Sequence, residues 1–139
     1  MASGTALFWP VIAQVALVFA IYILMAKRRF AAVRTGRVPA KAYLIPTVEP
    51  EPSATVARSL INQFELPVLF YVAVVVAHLT GAAGTPMVAL CWLFVASRYA
   101  HAYVHVTSNR LMLRQRLFSL GVAALAAVWV LIAWTLAGV

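Results

Sequence analysis

A guanidinium, a carboxamide and a carboxylate occur at helical spacing just before an apolar stretch of the sequence. Arg58, Asn62 and Glu65 are spaced i, i+4 and i+7, so an α-helix places all three on one face. The apolar run at 66–77 follows directly, which puts this polar stripe at membrane depth. Ionised groups are costly there and are rarely left unpaired. The pattern therefore predicts a functional site.

A second polar group lies further along the chain. Arg98, His101 and His105 are spaced i, i+3 and i+7, again on one helix face. The two groups flank a turn at about residues 80–86, so residues equally far from this turn lie at equal depth. This places Glu65 level with His101 and about one turn from Arg98. Because an unpaired carboxylate at that depth would be neutralised or expelled, we predict a Glu65–Arg98 ion pair with His101 adjacent.

That ion pair alone is equally compatible with a structural clamp between two helices. The neighbouring polar residues fit a clamp poorly, because they offer more hydrogen-bond donors than one carboxylate can use. They are Arg58, Asn62, His105, Arg110 and Arg114, all toward one membrane edge. Surplus positive charge at such an edge favours an anionic small molecule or lipid headgroups.

Composition predicts the elements that position these groups. The 139 residues are 65% hydrophobic and only 10% charged, whereas a soluble domain carries about 25% charged residues. Apolar segments at 7–26, about 53–80, 86 to beyond 105, and 117 to about 136 are each long enough to span a bilayer. Pro67 should kink the second, and Gln14 should form a helix–helix hydrogen bond in the first. The prediction is an all-α, integral membrane four-helix bundle forming a single domain over residues 1–139.

The basic residues that give the net charge of +8 indicate topology. They cluster in the first and third loops, and the second loop carries no charge, so we expect both termini outside and loops one and three in the cytoplasm. This distribution explains the charge without nucleic-acid binding. Cys91 is the only cysteine, which leaves no disulfide framework and no metal site.

The motifs resemble one known family. Arg58-x3-Asn62-x2-Glu65, followed by Pro67 and an apolar run, resembles the signature of the MAPEG family, the membrane-associated proteins in eicosanoid and glutathione metabolism. The spacing of Arg98, His101 and His105, with Arg114 nine residues later, is similar to the next helix of that family. Lys27-Arg28-Arg29-Phe30 resembles its basic first loop, and the stretch at 64–71 looks closest to bacterial members.

This resemblance implies a homotrimer that binds glutathione between neighbouring subunits near the cytoplasmic face. Glu65 would receive the α-amino group, and an arginine of the Arg28/Arg29 pair would come from the neighbouring subunit. Arg114 would stabilise the glutathione thiolate, the catalytic role. The remaining glutathione-binding positions implied by the resemblance are Arg58, Asn62, His101 and His105.

Three positions depart from the family pattern: His105 stands where a tyrosine is usual, Gln115 replaces a serine and Phe118 a tyrosine. The resemblance implies a glutathione-dependent transferase or peroxidase of the bacterial inner membrane, acting on a hydrophobic electrophile that arrives from the bilayer. The departures favour an alternative, a non-catalytic member that serves as an assembly subunit or lipid-binding partner. A small transporter or channel is a third interpretation, and an eicosanoid role is not expected.

Overall fold

The chain folds into a bundle of four membrane-spanning segments. A computed structural model describes residues 4–44 and 48–138, which form five α-helices and no strand. The helices are α1 (Trp9–Arg34), α2 (Glu51–Ile61), α3 (Leu66–Leu79), α4 (Thr85–Val106) and α5 (Leu111–Leu136). Because α2 and α3 are two halves of one broken span, four segments are long and apolar enough to cross a membrane. The predicted all-α membrane bundle is confirmed.

Proline defines where four of the five helices begin. Pro10, Pro52, Pro67 and Pro86 stand in the first two positions of α1, α2, α3 and α4. Proline suits these positions because its backbone lacks the N–H that would find no partner in the first turn. These four helices therefore start at prolines, where the missing N–H loses no hydrogen bond.

The first and last spans are longer than the sequence predicted. α1 continues beyond residue 26 to Arg34, and α5 begins at Leu111 instead of residue 117. The third connection is consequently a short one, residues 107–110, which turns at Asn109 with a φ of 48°. Arg114 and Arg116 lie in the first turns of α5 and are not loop residues.

Apolar side chains pack the bundle in two clusters. In the larger cluster, which extends to the turn between α3 and α4, Phe70 stacks on Phe94 with ring centroids 4.7 Å apart. A smaller cluster at the other end joins α1, α2 and α4 through Leu17, Val56 and Ala102. Lipid tails are as apolar as these side chains, so close packing and buried hydrogen bonds hold the helices together.

A glycine brings α5 against α4. A Cβ added at Gly121 would lie 2.7 Å from the Oγ of Ser97 and 3.8 Å from the Cδ of Arg98. Small residues allow this close backbone approach between membrane helices. The contact covers Arg98 with the backbone of α5.

Candidate functional site

The second span breaks at the residues that the sequence singled out. α2 ends at Ile61, a single 3-10 turn covers Asn62–Phe64, and Glu65 takes a non-helical conformation (φ −96°, ψ −103°) before α3 starts. Pro67 explains the break, because it has no N–H to donate to the carbonyl four residues earlier. The predicted kink is confirmed, and it is a complete interruption of the helix.

Arg98 fills the gap left by the break. Its Nη2 donates a hydrogen bond to the backbone carbonyl of Asn62 at 3.0 Å. The side chain is fully buried, and its guanidinium carbon lies 5.7 Å from the ring centroid of Phe118, a cation–π distance. Nε and Nη1 have no hydrogen-bond partner among the described residues. Two donors of a buried cation thus remain available.

The predicted ion pair between Glu65 and Arg98 is not formed. The carboxylate is exposed on the side of the bundle, and it makes no salt bridge or hydrogen bond within the part of the chain that the structure describes. The two groups remain close enough to attract each other electrostatically. The break gives the physical reason: each residue of a 3-10 turn advances by about 120° instead of 100°, so Glu65 does not continue the face of α2 on which the prediction was based.

The two histidines of α4 lie beside Arg98 in the interior. Their rings are 5.6 Å apart in an edge arrangement, and His101 also lies 5.7 Å from the ring of Phe118. Both side chains are buried, and each Nδ1 lacks a hydrogen-bond partner in the described protein. Buried polar atoms are normally satisfied, so orphaned ones mark a place for water or a ligand.

Three arginines lie within electrostatic range of His105: Arg114 in α5, Arg58 in α2 and Arg98 in α4. Two of them, Arg98 and Arg114, are also within range of His101. We refer to these three arginines and the two histidines as the cationic cluster. Excess positive charge beside buried imidazoles favours an anion.

The polar stripe predicted for the second span extends across the break, with Arg58 in α2, Asn62 in the 3-10 turn and Glu65 after that turn. Arg58 and Glu65 are exposed and Asn62 is half-buried. None of these three side chains hydrogen-bonds to another residue in 4–44 or 48–138. The stripe and the cationic cluster meet at the break, where the Asn62 carbonyl accepts a hydrogen bond from Arg98.

Arg114 is held by a side-chain hydrogen bond. It is half-buried in the first turns of α5, and its Nη1 donates to the side-chain oxygen of Asn109 at 2.6 Å. This contact orients the guanidinium near the short α4–α5 connection. A fixed cation in such a position favours a thiolate over a thiol.

A comparison with family models decides the relationship of this fold to known proteins. The model described as the MAPEG family matches residues 6–134, nearly the whole chain. The chain belongs to the MAPEG family. No curated protein and no solved structure matches the sequence.

MAPEG membership agrees with the four spans, and it is compatible with either a catalytic or a non-catalytic protein. The family includes glutathione transferases and peroxidases and also members without catalysis. The departures from the family pattern occupy different environments here: Phe118 lies against Arg98 and His101, His105 is buried beside them, and Gln115 is exposed.

The arginines of the MAPEG-like basic segment are both engaged inside their own protomer. Arg28 donates to Thr55 Oγ1 at 2.9 Å and to the carbonyl of Val106. Arg29 donates to both carboxylate oxygens of Glu49, at 2.9 and 2.6 Å. The hydrogen bond from Arg29 lowers the pKa of Glu49 below its ordinary value. The resemblance had implied a ligand in the neighbouring subunit for one of these two arginines.

Sequence reasoning missed one polar partner in the interior of this MAPEG protein. Gln14 donates to Gln63 Oε1 at 2.9 Å, and Gln63 donates in turn to the carbonyl of Ser59. The helix–helix hydrogen bond expected of Gln14 is confirmed. The sequence did contain a signal for this partner, because Gln63 is a carboxamide in an apolar span, on the opposite face from Glu65.

Proposed function

We propose that this MAPEG protein is a glutathione-dependent transferase or peroxidase that acts on lipophilic electrophiles. The observation that carries the proposal is the cationic cluster at the break in the second span. There, two donors of Arg98 and the Nδ1 atoms of His101 and His105 lack partners within the described residues. An anionic tripeptide suits this cluster, because its carboxylates pair with guanidiniums and its amino group pairs with Glu65.

In this proposal, the residues have two roles: most bind the tripeptide, and one stabilises its thiolate. Arg58, Asn62 and Glu65 hold the peptide from the outward face, and the two histidines border its inner side. Arg114 stabilises the thiolate sulfur, which attacks the electrophile and forms the carbon–sulfur bond. The thiol proton leaves to solvent, and the group displaced from the electrophile carries away the bonding electrons.

We also propose that the protein works as a homotrimer in a bacterial inner membrane. Arg58 and Glu65 are exposed on the side of a single protomer, within a segment long enough to span the bilayer. Charged groups at that depth require polar partners, which a neighbouring copy would supply. The basic residues on loop one and at the α4–α5 connection favour a cytoplasmic position for that end, with both termini outside.

Substitution of Arg114 tests the catalytic assignment. We expect Arg114→Ala to reduce the turnover of glutathione with an aryl chloride by about 10²-fold or more, because the thiolate loses its fixed cation. Glutathione binding measured by calorimetry should change much less than turnover. Arg116→Ala is the matched control, since Arg116 is exposed on the same helix and should leave turnover unchanged. Unaltered turnover in Arg114→Ala would reject the assignment.

One observation favours the second candidate, a non-catalytic member. Phe118 replaces a polar family residue and lies against both Arg98 and His101, where it places an apolar ring next to the cluster. Calorimetry distinguishes the two candidates. Binding at millimolar glutathione followed by turnover supports the enzyme, whereas no heat of binding at that concentration supports the assembly or lipid-binding role.

A further inference from the structure

The basic residues of α1 fall into two classes by their contacts. Arg28 and Arg29 are tied to residues of their own protomer, as described above. Lys27 and Arg34 are exposed, and neither side chain has a hydrogen bond or ion pair with any residue in the described ranges. The positive-inside rule explains all four residues equally, whereas their contacts show that Lys27 and Arg34 are available to a ligand.

Lys27 and Arg34 border one groove on the outer face of α1. The groove has a volume of about 410 Å³, and it is also lined by Ile23, Ala26, Phe30 and Ala31. Lys27 and Arg34 are two helical turns apart, about 10 Å along the axis, and Phe30 lies between them on the same face. Phe30 is 77% exposed and Ile23 is 57% exposed, so the groove continues into an apolar surface.

The basic and apolar residues along this face of α1 follow the same order as the phosphate and the acyl chain of a phospholipid. Toward the end of α1, the two flexible cations extend to where phosphates lie, with Phe30 between them. Toward the middle of the span, Ile23 and Phe19 form an exposed apolar stripe for an acyl chain. Clusters of basic residues beside a membrane span recognise anionic headgroups.

We propose that the groove bordered by Lys27 and Arg34 binds one anionic phospholipid, with its phosphate held by the two cations and an acyl chain along Ile23 and Phe19. The lipid is a ligand of each protomer and does not depend on glutathione chemistry. Charge selects the headgroup, and the apolar stripe distinguishes a lipid from a free phosphate ion.

Native mass spectrometry of the detergent-purified protein tests this proposal. Phosphatidylglycerol and phosphatidylcholine with identical acyl chains are titrated separately. We expect a tenfold or greater preference for phosphatidylglycerol in the wild-type protein, with loss of that preference in Lys27→Gln/Arg34→Gln. The control Arg37→Gln/Lys41→Gln removes the same charge from two exposed basic residues beyond α1 and should keep the preference within twofold.

Two further measurements separate lipid recognition from a folding defect and from binding of free phosphate. The exchanged variant Lys27→Arg/Arg34→Lys keeps both charges and should retain the lipid, which separates charge recognition from a folding defect. Inorganic phosphate in tenfold excess over the lipid should not displace it. Equal losses in the two glutamine variants, or displacement by inorganic phosphate, would overturn the proposal.

Discussion

At the scale of single residues, Arg98 explains why the break in the second span is stable. The break exposes backbone carbonyls in a region without water, and an unpaired carbonyl there is costly. Arg98 satisfies the carbonyl of Asn62, while its alkyl chain lies against Gly121 and its guanidinium against Phe118. Its position therefore depends on how closely α5 approaches α4.

Gly121 and Ser97 provide a residue-scale test of that approach. We expect Gly121→Ala to lower the free energy of unfolding by about 1–3 kcal/mol. The new methyl group would lie 2.7 Å from Ser97 Oγ, which is closer than packed atoms allow. Thermal unfolding followed by circular dichroism in detergent measures this effect. The double variant Gly121→Ala/Ser97→Ala removes the clashing oxygen and should recover most of the loss. A double variant no more stable than Gly121→Ala would show that another contact limits the approach.

At the scale of elements, the residues that were predictable are those whose behaviour depends on local chemistry. The spans followed from apolar length, the break followed from Pro67, and the Gln14 hydrogen bond followed from its apolar surroundings. The Glu65–Arg98 salt bridge is absent because equal distance from a turn fixes depth but not direction, and the break at Glu65 ends the helix face that the prediction assumed. The early start of α5 did not follow from apolar length, because the apolar run begins only at residue 117, whereas a helix at the membrane edge also accepts Arg114 and Arg116.

The connection between α1 and α2 is held by a contact that the sequence did not predict. Arg29 binds both oxygens of Glu49, and its guanidinium lies 5.4 Å from the ring centroid of Tyr43. Tyr43 also hydrogen-bonds to Ser53 at the start of α2. These contacts attach the described parts of the connection to both helices.

This Arg29–Glu49 contact should make stability depend on pH. The pKa of Glu49 is lowered in the folded protein, so its contribution is complete above the ordinary pKa of 4.5 and disappears as the pH falls through the lowered value. We expect Glu49→Gln to cost about 1 kcal/mol or less at pH 7, since the pair is partly exposed. The difference from wild type should shrink as the pH falls below 4.5 in thermal unfolding experiments. A difference that does not shrink on acidification would assign the stabilisation to another group.

At the scale of the whole molecule, a single protomer leaves its most polar membrane surface uncovered. Arg58 and Glu65 are exposed beside apolar side chains such as Ile61 and Phe64. The cationic cluster behind this surface lacks partners for several buried atoms in the described chain. Both features support the proposed assembly, in which a second copy would cover the face and complete a site between subunits.

Charge reversal at Glu65 tests that solution. Native mass spectrometry of the wild-type protein should give a species of three times the 15.1 kDa chain. Glu65→Arg should shift the population to monomers, because an arginine beside Arg58 would place two like charges in a covered interface. Glu51→Arg makes the same charge change at the exposed start of α2 and should leave the trimer intact. If Glu65→Arg also remains trimeric, the face around Glu65 lies outside the subunit contact, and the proposed site between subunits loses its basis.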